Sequence, residues 1–207
     1  MEPANQSFFS NPKEYSRLML IAAGHSNSGV RGGMTSITED KIRAGERIYR
    51  VGHSNLPMTI NMSSPWWMRE ETFLYIMGVA ERAGSDPNEL YRMKCAVSYD
   101  FGVSDIVLKA HVKQTLRVFT GRGRPVEDDS EGRRGQWWHG GYEIAQLFIP
   151  GLRDFEKKMP TKLCHDAIEI EEKFKVSDYN RVQRGRLKKI NKTLFREFDA
   201  GKGQGLI

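Results

Sequence analysis

Cysteine is scarce in this chain. Cys95 and Cys164 are its two thiols, far apart in sequence, which gives no disulfide framework and implies a reducing, intracellular setting. Long apolar runs are missing too: none approaches the ~20 residues that cross a bilayer, so no membrane partner is expected. Residues 1–7 have neither the basic nor the apolar region of a secretory leader, and the expected location is cytoplasmic. Walker spacing, G-x-G-x-x-G, G-x-S-x-G and H-E-x-x-H are all absent, as are paired carboxylates at metal spacing. Cys164-His165 has no further ligands at useful spacing, and no metal is expected. No internal repeat is visible.

What is present is an excess of positive charge on a chain of ordinary core content. The 207 residues carry a net charge of +6, with 39% hydrophobic residues. That fits one domain with a real core and an acidic macromolecular partner, nucleic acid above all. A protein that is simply basic fits the same composition.

Periodicity then places the elements. Residues 1–12 are polar and expected to be loosely held, and 13–23, with Tyr15, Leu18, Met19 and Ile21, predict a short helix. Residues 24–33 mix glycine and hydroxyls with Arg31 and predict a loop; 35–41 predict a helical turn capped by Ser36, with Glu39 three residues on. From 69 to 83, Phe73, Ile76, Met77 and Ala80 fall at helical spacing, and Gly84 stops the run. Asp86-Pro87 restarts a helix that runs to about Cys95. Residues 104–120 alternate as strands. The segment 121–135 is charge and glycine, a mobile loop that serves as either a solvated insertion or an acceptor-recognition loop. Trp137 and Trp138 after it are either stacking platforms for unpaired bases or anchors for that loop. Residues 152–161 predict a loop and 162–176 a strand mixed with a helical turn. Residues 179–198 predict a basic amphipathic helix with Val182, Leu187, Ile190, Leu194 and Phe198 as its stripe. One α+β domain over 1–176 with a basic extension over 177–207 is the expected organisation.

The stretch 45–67 organises the rest. Arg47-Ile48-Tyr49-Arg50-Val51 alternates as a strand, and 58–63 reads as a second strand ended by Ser64-Pro65. The Arg50 fork, leaving one strand near the hydroxyls of Ser63 and Ser64, is suited to a phosphate held in bidentate fashion. Trp66 and Trp67 follow; an indole here stacks on a planar ligand ring or fills the core.

These residues carry a family resemblance. Arg50 in Tyr-Arg-Val-Gly, the hydroxyls in Met-Ser-Ser-Pro-Trp-Trp, and the run from Gly140 through Tyr142, Glu143 and Gln146 to Pro150-Gly151 resemble the three motifs of mono-ADP-ribosyltransferases of the Arg-Ser-Glu class. The matching span, 49–151, is about half of the chain. The departures are Met-Ser-Ser in place of Ser-Thr-Ser, and Gln146 where the family's catalytic glutamate is expected, with Glu143 three residues before it.

The resemblance implies a split mixed or antiparallel sheet of ADP-ribosyltransferase type, with flanking helices and a central cleft for NAD. It implies catalytic roles for Arg50 and for Glu143 or Gln146, and NAD contacts from Tyr49, Arg50, His53, Ser63, Ser64, Trp66 and Tyr142. A carboxylate beside the reacting ribose would stabilise the positive charge that develops there; a glutamine offers only its carbonyl dipole. The implied activity is transfer of ADP-ribose from NAD to a nucleic acid or protein acceptor. The same cleft would serve hydrolysis of NAD, and a non-catalytic nucleic-acid-binding protein is the contrasting reading. Free-standing members of this kind are commonly toxins, delivered into a target cell by a secretion system or held by an antitoxin or immunity protein.

Overall fold

A computed structural model of the chain describes residues 2–26 and 28–179. Seven strands form one antiparallel sheet: β1 (Met34–Ile42), β2 (Arg47–Gly52), β3 (Trp66–Arg69), β4 (Ile106–Val112), β5 (Leu116–Gly123), β6 (Gln146–Phe148) and β7 (Ile168–Lys175). Their spatial order is β7-β4-β2-β3-β6-β5-β1. Among the described residues six α-helices accompany them: α1 (Gln6–Ser10), α2 (Pro12–Ala22), α3 (Met58–Ser63), α4 (Glu70–Ala83), α5 (Pro87–Cys95) and α6 (Lys162–Ala167). The class is α+β, as the sequence implies.

The sheet is divided at β3. That strand has four residues and serves two neighbours with different halves. Trp66 and Trp67 pair with Phe148 and Leu147 of β6, while Met68 and Arg69 pair with Tyr49 and Ile48 of β2. Beyond Tyr49, β2 continues to Gly52 paired only with β4. The two halves therefore part where Arg50 and Val51 stand, and a cleft opens between elements that would otherwise be adjacent strands.

Alternation along β2 sends its side chains to two cores. Ile48 packs with Trp67, Leu108 and Leu147 on one side. Tyr49 and Val51 pack with Met68, Phe73 and Ile76 on the other, beneath α4 and α5. Asp86 caps α5 by accepting from the Asn88 N–H at 2.7 Å, with Pro87 in the first turn as expected. Gly84 closes α4 at φ 61, a left-handed position suited to glycine.

Several expectations are corrected. Residues 58–63 form helix α3 and no strand. The place beside β2 is taken by Trp66–Arg69, and α3 is held by Asn61, whose side chain grips the turn before it. Residues 35–41 lie in strand β1, where Thr35 pairs with Arg122 and Thr38 with Thr120 of β5. Ser36 (φ 52) sits in a bulge between Thr35 and Thr38 instead of capping a helix. The N-terminal segment is tied down: Asn5 is fully buried and donates to the carbonyls of Arg117 (2.8 Å) and Pro150 (3.2 Å). Residues 24–33 and 152–161 include short hairpins, His25–Ser26 with Gly29–Val30 and Arg153–Asp154 with Met159–Pro160.

The segment 121–135 is anchored as well. Strand β5 runs through Gly123, and Val126–Glu127 pairs with Trp137–Trp138. Asp128, fully buried, accepts from Trp138 Nε1 (2.8 Å) and the Tyr99 N–H (3.0 Å). The helix expected over 179–198 falls almost wholly outside the described residues. No described helix is long and apolar enough to cross a membrane.

Candidate active site

A cavity of about 380 Å³ lies in the division of the sheet, within the ~300–1,000 Å³ range of small-molecule sites. Its walls come from the end of α2 and the loop to Gly33, from β2, from the first residue of β3, from the last turn of α5 and from the start of β6. Two arginines (Arg31, Arg50) and two histidines (His25, His53) line it, with no aspartate or glutamate among the lining residues.

Arg50 is the central charge. Its Nη1 donates to the Trp66 carbonyl at 2.9 Å, beyond the point where β2 and β3 stop pairing. Its Nε is buried and has no hydrogen-bond partner. Burial pushes the guanidinium down to about 10; Tyr91 acts against that shift and Arg153 adds to it. At neutral pH the group is still charged. A buried cation with an unpartnered donor, lining a cavity without carboxylates, suits an anionic ligand.

Arg31 differs. It is bound to Asp100 (2.5 Å) and Asp129 (2.9 Å) and lies over the Phe101 ring, so its charge is already answered.

Gln146 begins β6 and lines the same cavity. Its Nε2 donates to the Cys95 carbonyl at 2.8 Å, which leaves Oε1 as the end free to meet a ligand. His53 lies on the loop after β2, and burial first, then the Arg50 and Arg92 charges, hold its imidazole below the ordinary value; Asp105 opposes them.

Tyr91, buried on α5, also lines the cavity, and burial raises its phenol. Arg92 beside it serves the wall. It is fully buried and donates to the carbonyls of Ser98 (3.0 Å), Gly102 (2.7 Å) and Val103 (2.7 Å), fixing the turn that supplies Phe101 and Ser104.

Of the residues singled out from sequence, Arg50, His53, Trp66 and Gln146 meet at this cavity. The others stand elsewhere. Tyr49 points into the opposite core, stacked on Phe73 at 4.4 Å with its hydroxyl donating to Glu70 at 3.2 Å. Ser63 is buried and donates to the Ile60 carbonyl at 3.1 Å within its own helix. Ser64 is buried, and its Oγ accepts from the Trp66 N–H at 3.4 Å. Neither hydroxyl lines the cavity. Glu143 is solvent-facing, ion-paired with Lys94, and receives the Tyr75 hydroxyl at 3.5 Å. Tyr142 is 86% exposed, under the Arg122 guanidinium, at a second cavity of about 280 Å³ that also includes Thr35, Pro125 and His139.

Tyr91 and Ser104 were not legible as site residues. The capping signal gives the helix of Tyr91 but not which turn of it faces the cleft.

No protein-family model matches the chain, and no curated protein matches it. Among solved structures, the chain is similar to Rhs1-CT in complex with its cognate immunity protein RhsI1, at 16% identity over 73% of this chain and 88% of that one (TM-score 0.41). It is similar to Tne2 in complex with Tni2, at 14% identity over 68% and 92% (TM-score 0.42). It is also similar to Tse6 in complex with Tsi6, at 13% identity over 82% and 92% (TM-score 0.34).

Proposed function

We propose that the chain binds NAD in the Arg50 cavity and cleaves the bond between nicotinamide and ribose. The observation that carries this reading is Arg50 itself: a cation with an unpartnered buried Nε, in a cavity whose lining offers no carboxylate. The substrate's pyrophosphate would supply the missing counter-charge. The choice of NAD among anionic ligands rests on the resemblance of the Arg50 and 140–151 segments to mono-ADP-ribosyltransferases; Arg50 and Gln146 of those segments both line the cavity, whereas Ser63 and Ser64 do not.

In the cleavage, the C–N bond breaks with its electron pair passing to the nicotinamide ring, which leaves neutral, and positive charge develops on the ribose. Gln146 Oε1 faces that charge with a carbonyl dipole, its amide nitrogen being held by Cys95.

Water is the acceptor the geometry favours. Glu143, the carboxylate nearest in sequence to Gln146, does not line the cavity and is engaged by Lys94. A water molecule attacks the ribose C1′ and gives its proton to solvent, leaving ADP-ribose. Transfer to a macromolecule is the second reading. It is favoured by the exposed Tyr142 ring and Arg122 beside the second cavity, which offer stacking and charge to a nucleic-acid acceptor. A toxin role, delivery into a target cell and a bound immunity protein belong to this proposal through the same resemblance.

Incubation of the purified chain with NAD labelled in the adenylate half tests both readings. Nicotinamide release with free labelled ADP-ribose supports hydrolysis; label retained on RNA, DNA or protein supports transfer. No nicotinamide release, together with no shift in melting temperature by NAD, removes the proposal.

A further inference from the structure

His53 is fixed twice over. Its backbone N–H donates to Asn61 Oδ1 at 2.8 Å, and its carbonyl accepts from Asn61 Nδ2 at 2.8 Å. Asn61 is itself buried and donates further to the Leu56 carbonyl at 3.1 Å, so the turn from β2 to α3 is closed around one amide. The ring is held by a different element: the Ser104 N–H donates to His53 Nδ1 at 3.1 Å.

The backbone around that donor is shaped for the ring. Ser104 lies at φ 49, a left-handed conformation uncommon for a side-chain-bearing residue. Gly102 lies at φ 119, and a Cβ there would sit 2.6 Å from His53 Cε1 and 2.7 Å from Nδ1. Arg92, donating to the Gly102 carbonyl, keeps that segment in place.

A ring nitrogen that accepts a hydrogen bond carries no proton, so the neutral imidazole has its proton on Nε2. Nε2 has no hydrogen-bond partner among the described residues, and His53 lines the cavity beside Arg50. The charged groups that bear on the ring are Arg50 and Arg92, which with burial disfavour its protonation, and Asp105, which favours it. Protonation at Nδ1 would turn two N–H donors toward each other.

Resting on the NAD reading, we propose that His53 is a substrate-binding residue: a neutral imidazole, locked in one tautomer by Ser104, that donates from Nε2 to a phosphate oxygen of the substrate held by Arg50. A fixed uncharged donor adds direction beside the arginine without adding a further buried cation to Arg50 and Arg92.

Long-range 15N–1H spectra of the ligand-free protein test the lock, with the His53 signals assigned by their loss in His53→Gln. The expected result at pH 7 is the Nε2–H tautomer; an Nδ1–H tautomer or an imidazolium overturns the proposal. Addition of NAD, and separately of inorganic pyrophosphate, is expected to shift the Nε2–H resonance. A shift with pyrophosphate but not NAD keeps the donor and removes the NAD reading, and a shift with neither overturns the donor. In turnover of NAD, His53→Phe is expected to raise KM about tenfold or more with kcat within about threefold, and His53→Gln, which retains an N–H near the Nε2 position, to recover most of that loss. Equal KM values in wild type and His53→Phe, or a lowered kcat at unchanged KM, speak against it.

Discussion

The side-chain amide of Gln146 donates to the backbone carbonyl of Cys95 at 2.8 Å, joining the first residue of β6 to the last residue of α5 across the cleft. This contact explains how a glutamine occupies the place where the resemblance leads one to expect an acid. A carboxylate there would face a carbonyl oxygen. Gln146→Glu is therefore expected to lower stability by about 1–3 kcal/mol, since it replaces a donor with a second acceptor. Thermal unfolding of the ligand-free variant checks it, and an unchanged melting temperature would contradict the clasp.

Gln146 and Glu143 are separable by kinetics. Gln146→Ala is expected to lower nicotinamide release about 100-fold, the scale for losing one preorganised dipole at a developing charge. Glu143→Ala breaks an exposed pair with Lys94 and a long contact from the Tyr75 hydroxyl, and is expected to stay within about threefold of wild type. The opposite ranking would move the chemistry out of the cavity.

Arg50 is held at a cost to the folded protein, because its Nε is desolvated without a partner. Arg50→Leu is expected to leave the ligand-free melting temperature unchanged or raised, while NAD cleavage falls by about 100-fold or more. In the wild type, NAD at 100 times its Kd should stabilise by about 2.7 kcal/mol, and Arg50→Leu should lose that response. A variant that melts much lower without ligand would show that Arg50 is structural.

Gly123 stands beside the same clasp. A Cβ there would lie 2.6 Å from the Cys95 carbonyl oxygen and 2.7 Å from Gln146 Nε2, the two atoms of one hydrogen bond. Gly123→Ala is expected to cost about 1–3 kcal/mol through this overpacking and to lower nicotinamide release as Gln146→Ala does. Differential scanning calorimetry alongside the NAD assay checks both, and full activity would show that the wall yields without consequence.

Asp128 gives the acid limb. Burial raises its pKa, but hydrogen bonds from Ser130, from the Tyr99 N–H and from Trp138 Nε1 outweigh that and bring it down to about 2. The folded value lies below the unfolded ~3.9, so its contribution is complete above about pH 4 and is lost as pH falls through 2. Asp128→Asn is expected to cost about 2 kcal/mol at pH 7, with the gap to wild type closing toward pH 2. Unfolding followed by tryptophan fluorescence measures it; a gap that stays constant with pH would place the effect elsewhere.

The helices within 69–83 and 86–95 and the strands within 47–51 and 104–120 are legible in the sequence, because spacing, caps and alternation are local and need no partner to be read; the run of β5 on to Gly123 lies in what the sequence marks as loop. The sequence also marks Arg50 and Gln146, through the resemblance of the segments that hold them. What surrounds those two is set by packing between segments far apart in the chain. The segment 58–63 has a strand's alternation, yet β3 fills the place beside β2, and Asn61 turns the segment into a helix that hides Ser63 within its own backbone. The loop 121–135 has almost nothing apolar beyond Val126 and still packs, because Val126 meets Trp138 and Ala96 and one buried carboxylate, Asp128, gathers donors from Tyr99 and Trp138. Tyr91 and Ser104 enter the site from a helix turn and a left-handed residue whose directions are set by packing. A cleft is a relation between chain segments far apart in sequence, and local patterning carries no term for the short strand β3, shared by two neighbours, that opens it.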